Sequence, residues 1–247
     1  MFVKFTNCLF RGTIYGMTQH MRKMAVMVYG VPGSGKGTQA NLLADTFGLI
    51  HFDTGRFLES VVHDPKRQRE AIIKRERKNF DTGILVTPSF VIGEVKKETI
   101  KLAKAGWGVV FSGSPRTMYE AERLVPLLEK LYGKKNMFFI RLDVDAEHSF
   151  RRNGARLLCK ECKAALLTQY YPSKHPTHCP ICGGPLYRRS LDKPEVIRER
   201  LKEFAERTAP VFSYAKKRGH TVHLVDGRPA PYKVFEAAKR TILRRSR

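Results

Sequence analysis

The sequence predicts an α/β fold, with one parallel five-stranded sheet covered by helices on both faces and two lobes inserted into it. Three observations predict it. Short apolar runs alternate with stretches of helical spacing. A glycine-rich turn bearing a lysine follows the first of those runs. Two segments, one charged and one rich in cysteine, interrupt the alternation.

The elements follow in order. Met24–Tyr29 is a continuous apolar run of strand length, ended by glycine. Thr38–Phe47 has helical spacing at Leu42, Leu43 and Phe47, and Gly48 stops it. Leu49–Phe52, Trp107–Phe111, Met137–Leu142 and Thr221–Val225 supply four more strands. Helices are expected over Val91–Ala103, Tyr119–Leu131 and Glu195–Arg207, with another starting at Ala146 behind an Asp145 N-cap. Strands that alternate with helices pair in parallel, because each crossover helix must pack back on the sheet. The core is therefore assigned to residues 24–52, 87–154 and 193–247. Residues 53–86 form a helical, highly charged lobe, and residues 155–192 hold the cysteines.

The chain has 247 residues, 42% of them hydrophobic, enough for one sizeable core. Its apolar runs are too short to span a bilayer, so the expectation is a cytoplasmic, membrane-free protein. With 46 Lys and Arg against 23 Asp and Glu, the net charge is +23. That balance favours phosphorylated partners. The excess is spread along Lys66–Lys78, Arg141–Lys163, Arg188–Arg218 and Lys239–Arg247, which reads as a solvated basic surface and not as a specific nucleic-acid site. Residues 1–23 lack acids and carry Lys4, Arg11, Arg22 and Lys23. They are poorer in Arg and Ser than a transit peptide, and read as a disordered or spurious extension with alternative starts at Met17, Met21 and Met24.

Gly30-Val31-Pro32-Gly33-Ser34-Gly35-Lys36-Gly37-Thr38 lies between a buried strand and a helix, the setting a P-loop requires. Glycines let successive N–H groups curl around phosphate oxygens, and the helix start adds partial positive charge. Lys36 can reach the β and γ phosphates, and Thr38 can approach magnesium. The strict pattern has Ser or Thr directly after the lysine, whereas Gly37 intervenes here. The fold class is thus P-loop NTPase-type.

Cys159-x-x-Cys162 and Cys179-x-x-Cys182 are separated by sixteen residues, a spacing that suits a closed four-thiolate zinc site. Four sulfurs complete the shell, so His175 and His178 are bystanders, and Cys8 is left over. A zinc ribbon can also bind nucleic acid, but this one lies between Arg156 and Arg189 within a phosphate-binding chain.

The loop form GxPGxGKGTQ resembles that of the adenylate kinase family, and the resemblance extends across residues 24–247. Asp53-Thr54-Gly55 is similar to its Ser-Thr-Gly turn, Gly83-Ile84-Leu85-Val86 to its G-x-L-V motif beside the acceptor adenine, and Gly113-Ser114-Pro115-Arg116-Thr117 to its G-F-P-R-T turn. Thr208-Ala209-Pro210 matches a late T-x-P element. The resemblance implies that Gly33, Ser34, Gly35, Lys36, Gly37, Thr38, Arg152, Arg156 and Pro229 bind ATP. It implies an AMP site of Thr54, Arg56, Ile84, Leu85, Val86, Gly113, Ser114, Arg116, Glu120, Arg189 and Arg200. Lys36, Arg116, Arg152, Arg156, Arg189 and Arg200 would be catalytic, since forked guanidiniums stabilise charge that spreads over equatorial phosphate oxygens. Arg152 and Arg156 are read as four apart on one helix and so on one face. The zinc would stiffen a lid that closes over ATP and excludes water.

The chain also departs from that family. Ser112 stands where members carry an Asp that orients magnesium-bound water, and Arg56 replaces another Asp. Glu59 replaces an Arg that grips the acceptor phosphate, and Glu120 replaces a Gln that reads its adenine. Arg56 is expected to take over the grip, and Glu120 to accept from an amino group, which suits adenine or cytosine. The implied activity is reversible transfer from Mg·ATP to AMP by a monomer. A kinase for another nucleoside monophosphate and a weakly catalytic nucleotide-binding relative are the alternatives.

Overall fold

A computed structural model describes residues 23–168 and 176–245. Cys8, the rest of the basic stretch 1–22, and His175 lie outside the described residues. Five parallel strands form the central sheet: β1 (Ala25–Tyr29), β2 (Ile50–Phe52), β3 (Val109–Ser112), β4 (Met137–Asp143) and β8 (Val222–Asp226), in the order β2-β3-β1-β4-β8. Every residue of β1 is buried, as its unbroken apolar run requires in the middle of a two-faced sheet. Its register sets Val28 beside Ser112 on one flank and beside Ile140 on the other.

Helices cover both faces, and the core divides accordingly. On one face Leu43, Phe47, Val234, Ala238 and Ile242 of α1 (Lys36–Phe47) and α9 (Pro231–Arg245) pack against Val26, Val28 and Ile140. On the other, Val91 and Val95 of α4 (Pro88–Lys104), Leu124 and Leu128 of α5 (Met118–Tyr132), and Val211 of α8 (Pro210–Lys217) pack against Met27, Phe111 and Phe139. The expected boundaries hold to within a few residues. The helix expected through Arg207 instead ends at Glu203 (α7, Pro194–Glu203) and continues as a π turn over Phe204–Thr208.

The two interruptions differ in structure. Residues 53–86 form α2 (Thr54–Val62) and α3 (Ala71–Thr82) with no strand. Glu76, wholly buried on α3, accepts from Thr87 N–H (2.7 Å) and Thr87 Oγ1 (2.6 Å), where α4 begins. This fastens the lobe to the core. The cysteine segment carries a small antiparallel sheet, β6-β5-β7, from β5 (Arg156–Cys159), β6 (Ala165–Leu167) and β7 (Leu186–Tyr187). No helix among the described residues is long and apolar enough to cross a membrane.

Glu76→Ala should lower stability by roughly 1 to 3 kcal/mol, because it strands a buried donor pair at Thr87. Thermal unfolding of the variant checks this, with a matched loss expected in lobe protection by hydrogen exchange.

Candidate active site

The site begins where β1 ends. Gly35, at φ 93°, caps α1 without a side-chain hydrogen bond, so the helix's first N–H groups stay free to meet an anion. A Cβ at Gly33 would stand 2.6 Å from Asn153 Nδ2, which fixes glycine there. One at Gly35 would meet nothing within 4 Å, so the space above the loop is open. The loop is braced from behind by α6 (Ala146–Ala155): Ser149 Oγ donates to Pro32 O at 2.6 Å, and Asn153 Nδ2 donates to Ser149 O. Lys36 Nζ arches back to Val31 O at 2.9 Å.

Above this cradle is a cleft of about 730 Å³ at the carboxyl ends of the strands, where α/β sheets bind ligands. Gly33 to Thr38, Arg152, Arg156 and Pro229 line it on one side. Thr54, Arg56, Ile84 to Val86, Gly113, Arg116, Glu120, Arg189 and Arg200 line the other. Of the expected residues only Ser114 is absent from its wall. Ser114 is buried behind the turn, before a cis bond to Pro115.

Positive charge converges here. Burial, then Arg116, Arg200 and Arg156, push the Lys36 ammonium well below its ordinary range. Burial, then Arg116, Arg189 and Arg156, pull Arg200 down to about 9. Burial also lowers Arg116. Part-buried cations this close are costly unless an anion neutralises them. Ser34 Oγ, Thr54 Oγ1 and Arg152 Nε are buried without a protein partner, so donors as well as charge await a ligand.

The arginines differ in detail from the sequence reading. Arg152 and Arg156 do not share a helix face, because α6 ends at Ala155 and Arg156 is already extended, opening β5. Arg152 donates to the carbonyls of Gly227 (2.7 Å) and Arg228 (2.6 Å), fixing the loop that carries Pro229. Arg156 forks onto Asp192, joining the two ends of the lid. Arg116 Nε donates to Gly113 O. Arg56 Nη2 donates to Lys163 O at 2.8 Å, linking α2 to the lid across the mouth of the cleft. Glu120 accepts from Arg116 N–H (2.8 Å) and Thr117 Oγ1 (3.2 Å), and burial raises its pKa.

Sequence reasoning missed Asn41, His51 and Asp53, all on the cleft wall. His51 Nε2 meets Ser112 Oγ at 2.7 Å, and its Nδ1 meets Asn41 Oδ1. For His51 and Asp53 the available signal was polar residues at the end of β2, where ligands gather, whereas Asn41 lies on α1 and carried none.

The four lid cysteines bring their sulfurs within 4.8 Å of one another. Cys159 and Cys182 are 3.4 Å apart and Cys162 and Cys179 3.6 Å, too far for disulfides. Tetrahedral metal–sulfur bonds of about 2.3 Å imply sulfur separations near 3.8 Å, so the cluster fits one ion. Glu161 N–H donates to Cys159 Sγ, and Gly183, at φ 72°, turns the second knuckle. His178 is not in the cluster.

A strand–loop–helix cradle under a cleft of cations, flanked by a helical lobe and a thiolate-pinned lid, defines a P-loop nucleotide phosphotransferase. The family model for adenylate kinase matches residues 28–220. An adenylate kinase of Caldicellulosiruptor saccharolyticus is 36% identical over 202 residues, covering 82% of this chain and 91% of that one. One from Methanothrix thermoacetophila is 38% identical, covering 79% and 88%, and one from Latilactobacillus sakei is 33% identical, covering 89% and 98%. The chain belongs to the adenylate kinase family.

Gly35→Ala should strain a left-handed residue by about 1 kcal/mol and push a methyl into the phosphate space. Calorimetry should find ATP affinity reduced more than tenfold, with a melting temperature only a few degrees lower.

Proposed function

We propose that this chain transfers the terminal phosphoryl group of ATP to AMP, reversibly, giving two molecules of ADP. The observation that carries this reading is the part-buried set Lys36, Arg116 and Arg200, with Arg156 and Arg189 at the same cleft, in a member of the adenylate kinase family. Two nucleotides bring their phosphates together there. The loop amides and Lys36 hold the donor's β and γ phosphates. Arg116, Arg189 and Arg200 hold the acceptor phosphate from the opposite wall, and Thr54 Oγ1 adds a donor. As charge spreads over the transferring group, fixed guanidiniums stabilise it more than either ground state. Magnesium, when bound with ATP, neutralises phosphate charge. The hydroxyls of Thr38 and Ser112 and the carboxylate of Asp53 are hard oxygen groups suited to it.

Adenine is the acceptor base on this reading. Ile84, Leu85 and Val86 offer a backbone edge, and Glu120 accepts from an exocyclic amino group where guanine would present a carbonyl. Arg56 stands beside this site as a phosphate anchor, shared with its contact to Lys163 O. A cytoplasmic monomer completes this reading.

The lid metal is zinc, and its role is structural, because four thiolates leave no open position.

A turnover panel on AMP, dAMP, CMP, UMP and GMP tests the acceptor. AMP should be the best substrate, and a GMP or UMP preference would remove the reading of Glu120. Lys36→Met should lose at least a thousandfold in kcat, about 4 kcal/mol of barrier, with an unchanged fold by circular dichroism. For the lid, metal analysis of reduced protein should give one zinc per chain. Cys179→Ser should lower the melting temperature while ATP still binds the core.

A further inference from the structure

We propose that Asp53, together with a Ser112 hydroxyl oriented by His51 and Asn41, receives the waters of the divalent cation that accompanies ATP. The inference rests on the cleft being the ATP site. P-loop enzymes hold that cation between the loop and a carboxylate at a neighbouring strand end. Here β3 flanks β1, and it ends in Ser112, in register with Val28. A hydroxyl can donate or accept, but a metal-bound water donates, so the protein atom opposite must accept.

The hydrogen-bond relay settles which way the hydroxyl points. Burial lowers the His51 pKa and favours the neutral ring, and with Asn41 Oδ1 facing Nδ1 as an acceptor the single ring proton goes on Nδ1. His51 Nε2 then carries a lone pair, and Ser112 Oγ–H donates to it at 2.7 Å. The lone pairs of Ser112 remain for the cleft, whose wall it forms. Three residues from α1, β2 and β3 thus convert an ambivalent hydroxyl into an acceptor.

A hydroxyl brings no charge, and Asp53 supplies it. Asp53 follows β2, whose Phe52 is in register with Phe111, so it stands at the strand end next to Ser112. Its charge bears on Lys36, Arg116 and His51. Glu120, by contrast, is engaged by Arg116 N–H and Thr117. Asp53 Oδ1 caps α2 by accepting from Arg56 N–H at 3.2 Å, and Arg56 Nε lies 3.4 Å from Oδ2, which leaves acceptor capacity on both oxygens.

The test is calorimetric ATP affinity with magnesium and with chelator, alongside manganese binding to the nucleotide complex followed by water-proton relaxation. Asp53→Ser keeps a capping hydroxyl and removes only the charge. It should cut the gain from magnesium, read as the ratio of ATP affinity with magnesium to that in chelator for the same variant, at least tenfold. Ser112→Ala and Asn41→Leu should cut it severalfold, the latter by freeing the His51 tautomer. The exchange variant Asp53→Ser/Ser112→Asp should restore the gain and the manganese relaxation signal. An unchanged gain in Asp53→Ser, or an exchange variant no better than that single variant, overturns the proposal. Failure of the wild-type protein to bind ATP in chelator would instead overturn the reading of the cleft.

Discussion

Repulsion among the cleft cations is the constraint on which the rest of the structure depends. Lys36, Arg116 and Arg200 are part-buried and close enough to depress one another, and Arg156 and Arg189 add to the same field. No sheet or helix would gather such groups for stability alone, since desolvated like charges oppose folding. They are held because each is mounted on an element that is stable for other reasons. Lys36 rides on α1, whose Leu43 and Phe47 are anchored in the core, and Arg200 on α7, anchored by Ile197. Arg116 sits between β3 and α5, where Glu120 caps the turn. The site is thus strained by charge and supported by packing, and a polyphosphate relieves the strain.

The same logic explains why the cleft has three walls of different stiffness. The core wall is backed by the buried strands of the sheet. The lobe of residues 53–86 is fastened at its return by one buried carboxylate, Glu76, which holds Thr87 while most of α3 stays exposed. The lid is joined at its root by the Arg156–Asp192 pair and touches the lobe through Arg56 and Lys163 O. Few buried contacts cross between the lobes, which is the condition for parts that move relative to a core.

Much of this was legible in the sequence, and what was not has identifiable causes. β1, β3 and β4 were readable as apolar runs that are almost wholly buried, the part-exposed edge strands β2 and β8 as short runs between turn signals, and the loop because Gly-rich turns with lysine occur between a strand and a helix for one physical reason. The lid sheet was not readable, since β5 to β7 are two to four residues long and their pairing is dictated by the cysteine knuckles. Arg156 was assigned to a helix because its spacing from Arg152 fits one, yet the chain turns out of the helix at Ala155 to begin β5. The relay from Asn41 through His51 to Ser112 spans 10 and 61 residues, so only the strand register of the sheet reveals it.

That relay bears on how such a site tolerates change. A carboxylate at one strand end performs two tasks at once: it supplies charge, and it accepts from water. Ser112 alone can do neither dependably, because its proton is free to rotate. Dividing the tasks between Asp53, for charge, and a tautomer-locked His51, for hydroxyl orientation, preserves both with different residues on adjacent strands. The cost falls on neighbours. Asn41 must be an amide oxygen, and Arg56 must balance Asp53 from the exposed side, which brings Arg56 within reach of Lys163 O on the lid. The contacts that begin at the end of β3 thus continue through Asp53 and Arg56 to the mouth of the cleft.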